Sequence, residues 1–275
     1  MATADAGTVR VAARPTWWSR FPLRNRVVGL VSFAVFVLLW QATVVVADIE
    51  PILLPAPTSV ATQLVEIWGN GLLWGAVWKS FQPLFVGLGA ALVVGIVLGL
   101  LIGASSWLDL ISSPYVWGFF ATPRIAMAPL VVLWFGFGFQ SKALLVFLSA
   151  LLPMMISCKE GVQTVDESLV RAARSFGARR IDVFRRVVVP FTLPFIANGI
   201  RNAIARGFVG LLIIEMTVGS GGIGTAVIRS MRAIPANTAR MFAFIAVLMT
   251  TALILISLSR RLEAYVSRWR EEVYL

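Results

Sequence analysis

Few residues of this chain could take part in covalent or metal chemistry. The sequence has no histidine and one cysteine, Cys158, which excludes Ser-His-Asp and Cys-His catalysis, histidine-ligated metals and intrachain disulfides. None of the three lysines, Lys79, Lys142 and Lys159, follows a glycine, so the phosphate-binding motif G-x-x-x-x-G-K is missing. We therefore expect neither a catalytic nor a metal site. Any ATP that drives this protein must be bound by another chain.

A functional pattern lies instead in the longest polar stretch, residues 159–189. Thr164 to Glu167 fits a capping box at the start of a helix. One face of that helix would be apolar, with Val165, Leu169, Ala172, Ala173 and Phe176 at helical spacing. Gly177 is placed to end the helix in the left-handed conformation. A second helix should begin near Arg180, with Ile181, Phe184 and Val188 on one face.

Two interpretations of this helix pair stay open from the residues alone. The pair could lie on the membrane surface, with its basic residues on lipid phosphates and its apolar residues in the interface. It could equally be a docking site for a partner protein. No acid pair, nucleophile or metal cluster accompanies it in the sequence.

Ionisable residues also occur within apolar segments, where they are costly and mark candidate functional sites. Arg201 and Glu215 lie fourteen residues apart and share one helix face, whereas Arg206 lies opposite Glu215. Either this helix lines a translocation path, or Arg201 snorkels to the interface while Glu215 meets a neighbouring helix or surface water. The path candidates are Glu215, Arg206, Met216 and Trp134.

Composition decides which elements must position these residues. Hydrophobic residues make up 59% of the 275 residues and charged residues 13%, against about 45–50% and about 25% in soluble domains. The mean hydropathy is +0.86. These values indicate a polytopic membrane protein. The net charge of +11 does not indicate a nucleic-acid partner, because the basic residues flank apolar runs.

Six apolar runs are long enough to suggest transmembrane helices in an all-α protein. They cover residues 27–47, 83–104, 124–137, 143–158, 196–218 and 241–257. The third is short and could begin near Val116, with kinks at its prolines. The second carries Gly87, Gly95, Gly99 and Gly103, a ladder that allows close helix packing. A short amphipathic helix, capped by Thr58 and ending at Trp68, should lie on the outer membrane surface.

The distribution of basic residues predicts the orientation. The N-terminal segment carries five arginines, the 159–186 loop seven Lys or Arg and the tail four, against five on the opposite side. Both termini are therefore expected in the cytoplasm. The predicted organisation is a cytoplasmic segment 1–26, a membrane domain 27–258 with the polar loop 159–190, and a cytoplasmic tail 259–275.

Four stretches give the sequence a resemblance to a known family. Arg171-Ala-Ala-Arg-Ser-Phe-Gly177, with Val-Val-Val-Pro190 thirteen residues after the glycine, resembles the "EAA" loop of ABC-importer permeases. The nitrate, sulfonate and taurine branch is the most similar. Three further stretches agree: Leu54-Pro-Ala-Pro-Thr58, Ala128-Pro-Leu-Val-Val-Leu-Trp-Phe-Gly-Phe-Gly138 and Gly219-Ser-Gly-Gly-Ile-Gly224. The resemblance covers about residues 30 to 262.

This resemblance implies a type I (MetI-like) permease of the bacterial inner membrane. It implies a homodimer with two ATPase subunits that bind ATP and magnesium, and a periplasmic or lipid-anchored solute-binding protein. The loop would couple to the ATPase through Arg171, Ala172, Ala173, Ser175, Phe176, Gly177, Ala178, Arg179 and Phe184. Where the family has glutamate this sequence has Arg171, and Glu167 stands one helical turn earlier.

The branch suggests a small anion as substrate, such as a sulfonate, taurine or nitrate, while aromatic carboxylates and pyrimidine precursors stay open. A membrane enzyme and a stand-alone secondary transporter are the alternative classes of protein. A membrane enzyme would need clustered acids or histidines at the surface, and the acids here are scattered. A stand-alone secondary transporter would show paired half-repeats and a broken helix near the midplane.

Overall fold

The computed structural model describes residues 22–234 and 237–266, and within these ranges every regular element is helical. The helices are α1 (Pro22–Val46), α2 (Pro57–Gly69), α3 (Leu72–Ala104), α4 (Ser106–Ala121), α5 (Ala128–Phe135), α6 (Phe139–Gln163), α7 (Glu167–Ser175), α8 (Arg180–Val183), α9 (Val189–Val218), α10 (Ile223–Arg232) and α11 (Thr238–Val266). A 3₁₀ turn precedes α5, and a π-helical turn joins α8 to α9. The all-α prediction is confirmed.

Helices α3, α6 and α9 form the centre of the molecule. Their shared core contains Leu84 and Ala91 of α3, Val146 and Met154 of α6, and Leu211 of α9. The glycine ladder of α3, which was predicted to allow close helix packing, packs against α6. A Cβ atom built on Gly99 would lie 2.6 Å from the Cβ of Cys158, closer than real side chains approach. The glycines are therefore what lets the two helices touch.

The order of these contacts fixes the helix directions. Along α3, Gly87 meets Val146, Gly95 meets Met154 and Gly103 meets Val162, so α3 and α6 run parallel. Gly199 of α9 meets Met154 and Gly210 meets Ser149, so α9 runs antiparallel to α6. Because α3 and α6 are parallel, the segment 105–138 must return from the end of α3 to the level at which α3 begins.

The predicted third span is not a single helix. Residues 124–137 hold a 3₁₀ turn and the 8-residue α5, which is only about 12 Å long. The 16-residue α4 lies before them. The proline ring of Pro123 disfavours helical geometry at Thr122, which caps α4. Pro129 then stands in the first turn of α5, where a missing N–H is tolerated. A single helix over 124–137 is therefore wrong, whereas the interruption expected at the prolines occurs at Pro123.

Among the described residues, five stretches are long and apolar enough to cross a membrane: 27–46, 72–104, 139–163, 180–232 and 238–261. The predicted second span began at Pro83, but α3 begins eleven residues earlier and contains this proline. The expected surface helix exists as α2, with Val60 and Ile67 buried. Its start differs, because Ala56 is the N-cap and Pro57 occupies the first turn, leaving Thr58 inside the helix.

Candidate functional site

The polar loop folds as the predicted pair of helices, but its first cap differs. Helix α6 extends to Gln163, so Thr164 caps its C-terminus and donates its hydroxyl to the Glu160 carbonyl at 3.0 Å. Asp166 caps α7 instead and accepts from the Ser168 backbone N–H at 2.7 Å. This hydrogen bond holds the pKa of Asp166 below its ordinary value. The predicted capping box was wrong, since Thr164 belongs to the preceding helix.

The turn after α7 is built as predicted. Gly177 has a φ of +80°, a conformation that residues with a Cβ atom adopt at a cost. Its N–H donates to the Arg174 carbonyl, and the Ala178 N–H donates to the Ala173 carbonyl. These bonds satisfy carbonyls at the end of α7 and turn the chain sharply.

The second predicted helix begins at Arg180, as expected, but it does not end before the membrane. Helix α8 continues through a π-helical turn at Phe184–Val188 into α9. Pro190 lacks an N–H for the Arg186 carbonyl four residues earlier, which explains the altered hydrogen bonding at this point. The loop is therefore rigidly joined to the long helix α9, so a force applied to α8 can act on it.

The helix pair presents apolar side chains to solvent. Phe176 stands at the tip and is 93% exposed, and Leu169 and Ile181 are exposed beside it. A concavity of about 400 Å³ lies between the end of α7 and α8 with the π-helical turn that follows it. Its lining residues include Ala173, Phe176, Ala178 and Val183. An apolar patch at the tip of a polar loop is typical of a protein interaction site.

The nine predicted coupling residues share this region with differing exposure. Arg171, Ala172, Ser175, Phe176, Gly177 and Arg179 are exposed, and Ala173, Ala178 and Phe184 are half-buried. Arg171 donates to Glu167 at 3.0 Å across one turn of α7, as the spacing predicted. This pair is exposed and fixes the two side chains only weakly.

At the other end of the bundle, Glu215 is fully buried and forms an ion pair with Lys142 at 3.0 Å. Its carboxylate also accepts from the Ser80 hydroxyl at 2.8 Å and from the Gly224 N–H at 2.9 Å. The Ser80 hydroxyl in turn accepts from the Ile223 N–H. The Gly219–Gly222 loop is thereby tied to α3, α6 and α9.

Lys142 reaches further acceptors that the backbone provides. Its ammonium donates to the Lys79 carbonyl at 3.3 Å and to the Gly221 carbonyl. The Lys79 carbonyl is free for this bond because Pro83, four residues later in α3, has no N–H. Sequence reasoning treated Lys142 as a loop residue. The feature that could have indicated its role is its position at the start of a long apolar run, since Glu215, the single acidic residue of α9, also lies in an apolar run.

The four path candidates separate in the structure. Glu215 is fully buried in the protein interior, so its side chain cannot line a translocation path. Met216, Trp134 and Arg206 are exposed on the outside of the described chain. Arg201 is half-buried and donates to Asn198 at 2.6 Å. Within the described ranges, no three His, Cys, Asp or Glu residues are grouped closely enough to hold a metal ion.

Comparisons with known proteins agree with this architecture. Residues 91–270 match the family described as binding-protein-dependent transport system inner membrane component. The taurine transport system permease protein TauC of Escherichia coli is 31% identical over 92% of this chain and 94% of its own. The putative aliphatic sulfonates transport permease protein SsuC of Bacillus subtilis is 30% identical, covering 88% and 87%.

Two further comparisons concern another substrate and the fold. The riboflavin transport system permease protein RibX of Chloroflexus aurantiacus is 30% identical over 94% of this chain and 96% of its own. A chain of the MetNI methionine ABC transporter, solved in an inward-facing conformation, superposes with a TM-score of 0.62. It is 21% identical and covers 71% of this chain and 96% of its own length, so it speaks for the fold alone.

Proposed function

Since this chain belongs to the family of binding-protein-dependent transport system inner membrane components and is a permease of an ABC importer, we propose that it moves small anions. The family consists of multi-pass inner-membrane permeases and not of enzymes. Membership favours this role over the membrane enzyme and the stand-alone secondary transporter.

The exposed helix pair is the surface that couples this permease to a separate ATPase. The single observation that supports this role is Phe176, a bulky apolar side chain almost fully exposed on a left-handed turn. A site on the membrane surface would also expose it, but the rigid connection of α8 to α9 favours force transmission. The ATPase subunits would bind ATP and magnesium, close, and carry the coupling helices together.

We place the helix pair in the cytoplasm, together with both termini. The basic residues concentrate at this end of the bundle. Six crossings follow if the segment 105–138 returns through the membrane, as the parallel packing of α3 and α6 requires. The terminal segments 1–21 and 267–275 lie outside the described residues, so their position follows from the topology.

The working assembly contains a second copy of this chain, two ATPases and a solute-binding protein outside. One chain supplies half of a path around a two-fold axis. When the ATPases close on ATP, the coupling helices approach and the spans rock to face outward. The solute then passes from the binding protein into the path, and hydrolysis restores the inward-facing state.

A sulfonate is the substrate class with the best support, with other small anions, including nitrate and aromatic carboxylates, as alternatives. Two of the relatives named above are described as permeases for taurine and aliphatic sulfonates. A cavity of about 460 Å³ at the outer end is lined by Lys79, Arg229 and Arg240. Only Arg240 has a described carboxylate partner, Glu66 at 2.8 Å, so the cavity favours anions.

The coupling role is tested by Phe176→Asp in the full complex. We expect this substitution to abolish co-purification of the ATPase and uptake of the substrate, because it places a charge in an apolar contact. Leu53→Asp is the matched control, since Leu53 is also apolar and exposed but lies at the opposite end of the bundle. ATPase binding that survives Phe176→Asp would assign the helix pair to the membrane surface instead.

A further inference from the structure

Arg206 is exposed near the middle of α9, a place where charge is costly. It lies nine residues before Glu215, on the opposite side of the helix. The residues beside it, Gly207 and Phe208, are buried in the core. Arg206 therefore points away from the protomer at a level where the neighbouring helices are packed together.

The packing of Gly207 shows that this level is the middle of the bundle. A Cβ atom built on Gly207 would lie 3.4 Å from the Cβ of Ala150 and 3.8 Å from Leu88. Ala150 is near the centre of α6, and Leu88 is near the centre of α3. Lipid headgroups at either end lie farther away than an arginine side chain extends.

Distances along α9 also place Arg206 midway between the two ends of the bundle. Glu215 and its ion pair are about 14 Å away in one direction. In the other direction, Phe195 packs on Gly161 near Lys159, about 16 Å from Arg206. Lys159 is paired with Asp109 at that end. Arg206 thus lies midway between two polar layers that are about 30 Å apart, the thickness of a hydrocarbon core.

No described carboxylate is placed to neutralise Arg206. Glu215 is buried in its own ion pair, and the other acidic side chains that the structure describes lie at or beyond the helix ends. A second copy of the chain would therefore bring a second Arg206 and no acid from the described residues. Two guanidinium groups facing one path repel each other unless an anion lies between them.

We propose that Arg206 and Asn202 bind the anionic head group of the transported solute halfway along the path, an inference that rests on the permease function proposed above. Asn202 is exposed one turn from Arg206 on the same face, where its amide donates to the same anion. The guanidinium fork suits the oxygens of a sulfonate or carboxylate. Val209 and Met216 are exposed apolar residues that continue this face of α9 toward the end that carries Glu215.

The test places a cysteine at Val209, one turn from Arg206, in the complex assembled with its ATPase. The thiol is treated with the anionic ethylsulfonate and the cationic trimethylammonium-ethyl methanethiosulfonates. We expect both reagents to label the introduced cysteine, and the anionic reagent to react faster than the cationic one. Arg206→Gln should lower this preference about tenfold, since a charge in a confined path concentrates counter-ions. Cys158 is buried and gives no background.

The control is Val35→Cys, which lies at mid-span on the peripheral helix α1 with a similar exposure, 48% against 52% for Val209. It should stay unreactive toward both reagents because it faces lipid. Sodium methanesulfonate should slow labelling at position 209 when Arg206 is present and not in Arg206→Gln.

Two outcomes would overturn the inference. One is a cysteine at position 209 that does not react with the reagents, or reacts no faster than the cysteine at position 35, in an assembled complex. The other is a charge preference that Arg206→Gln leaves unchanged. Failure of the Val209→Cys protein to bind its ATPase, with Arg206 intact, would instead count against the proposed permease function.

Discussion

At the scale of single residues, the polar cluster of Lys142, Glu215 and Ser80 shows how a break in the hydrogen bonding of a helix supplies an acceptor to a distant side chain. Pro83 removes one hydrogen bond from α3, and the carbonyl it frees becomes an acceptor for Lys142. The sequence indicated that Glu215 is costly within an apolar helix, and it left burial against another helix open. It could not identify Lys142 as the partner, because the two residues are 73 positions apart and only the packing of α6 on α9 joins them.

Removing one member of this pair should destabilise the protein strongly. Lys142→Met leaves a buried carboxylate with only neutral donors, which costs about 3 kcal/mol or more. The double variant Lys142→Met/Glu215→Gln should recover most of this loss, since glutamine still accepts from Gly224. Unfolding in mixed dodecyl sulfate micelles measures the free energy of unfolding of the single and the double variant. Equal stability of the single variant and the wild type would mean that water reaches the pair.

Arg171 is the residue at which this chain departs from the family pattern. Arg171→Ala should change stability by only about 0.3 kcal/mol, the value of an exposed pair across one helical turn. If Arg171 contacts the ATPase, the group that faces it there should be acidic, and Arg171→Glu should weaken binding by placing like charges opposite each other. Co-purification of the ATPase and the rate of coupled ATP hydrolysis measure this loss of binding. Reversing the charge of the facing group on the ATPase should restore co-purification and hydrolysis. An unchanged detergent-solubilised complex would remove Arg171 from the coupling surface.

At the scale of helices, apolar length and glycine spacing were sufficient to predict α1, α3, α6, α9 and α11 and a close helix contact along α3. They did not identify α6 as its partner. Prolines caused the errors. Pro83 suggested a helix start, yet α3 continues through it because Lys142 satisfies the freed carbonyl. Pro123 separates α4 from α5, and Pro129 lies in the first turn of α5, so the expected third span is not one helix. Local preference cannot decide which prolines are tolerated, since the compensating contacts come from distant residues.

The glycine ladder gives a test of helix packing with a control on the same helix. Gly99→Ala should destabilise the protein by about 1–3 kcal/mol, because the new methyl group would meet the Met155 carbonyl and the Cys158 side chain. Gly89→Ala faces open space and should be neutral or slightly stabilising, as alanine favours the helix. Unfolding in mixed micelles distinguishes them. Equal effects would mean that α3 and α6 separate easily.

At the scale of the whole molecule, the parallel arrangement of α3 and α6 has the largest consequence. Two parallel membrane helices require a connection that crosses back, and the only chain available is 105–138. A bilayer tolerates a broken segment where protein or water covers its backbone.

This return crossing predicts opposite accessibility for two exposed residues of one segment. Trp107 follows the inner end of α3, and Phe137 precedes the outer end of α6. In intact cells an impermeant thiol reagent should label Phe137→Cys and should reach Trp107→Cys only after permeabilisation. Phe176→Cys should behave like the inner position and Leu53→Cys like the outer one, which calibrates each side. If positions 107 and 137 were labelled from the same side, the segment would not cross the membrane. Helices α3 and α6 would then have to traverse the bilayer in opposite directions, contrary to their packing.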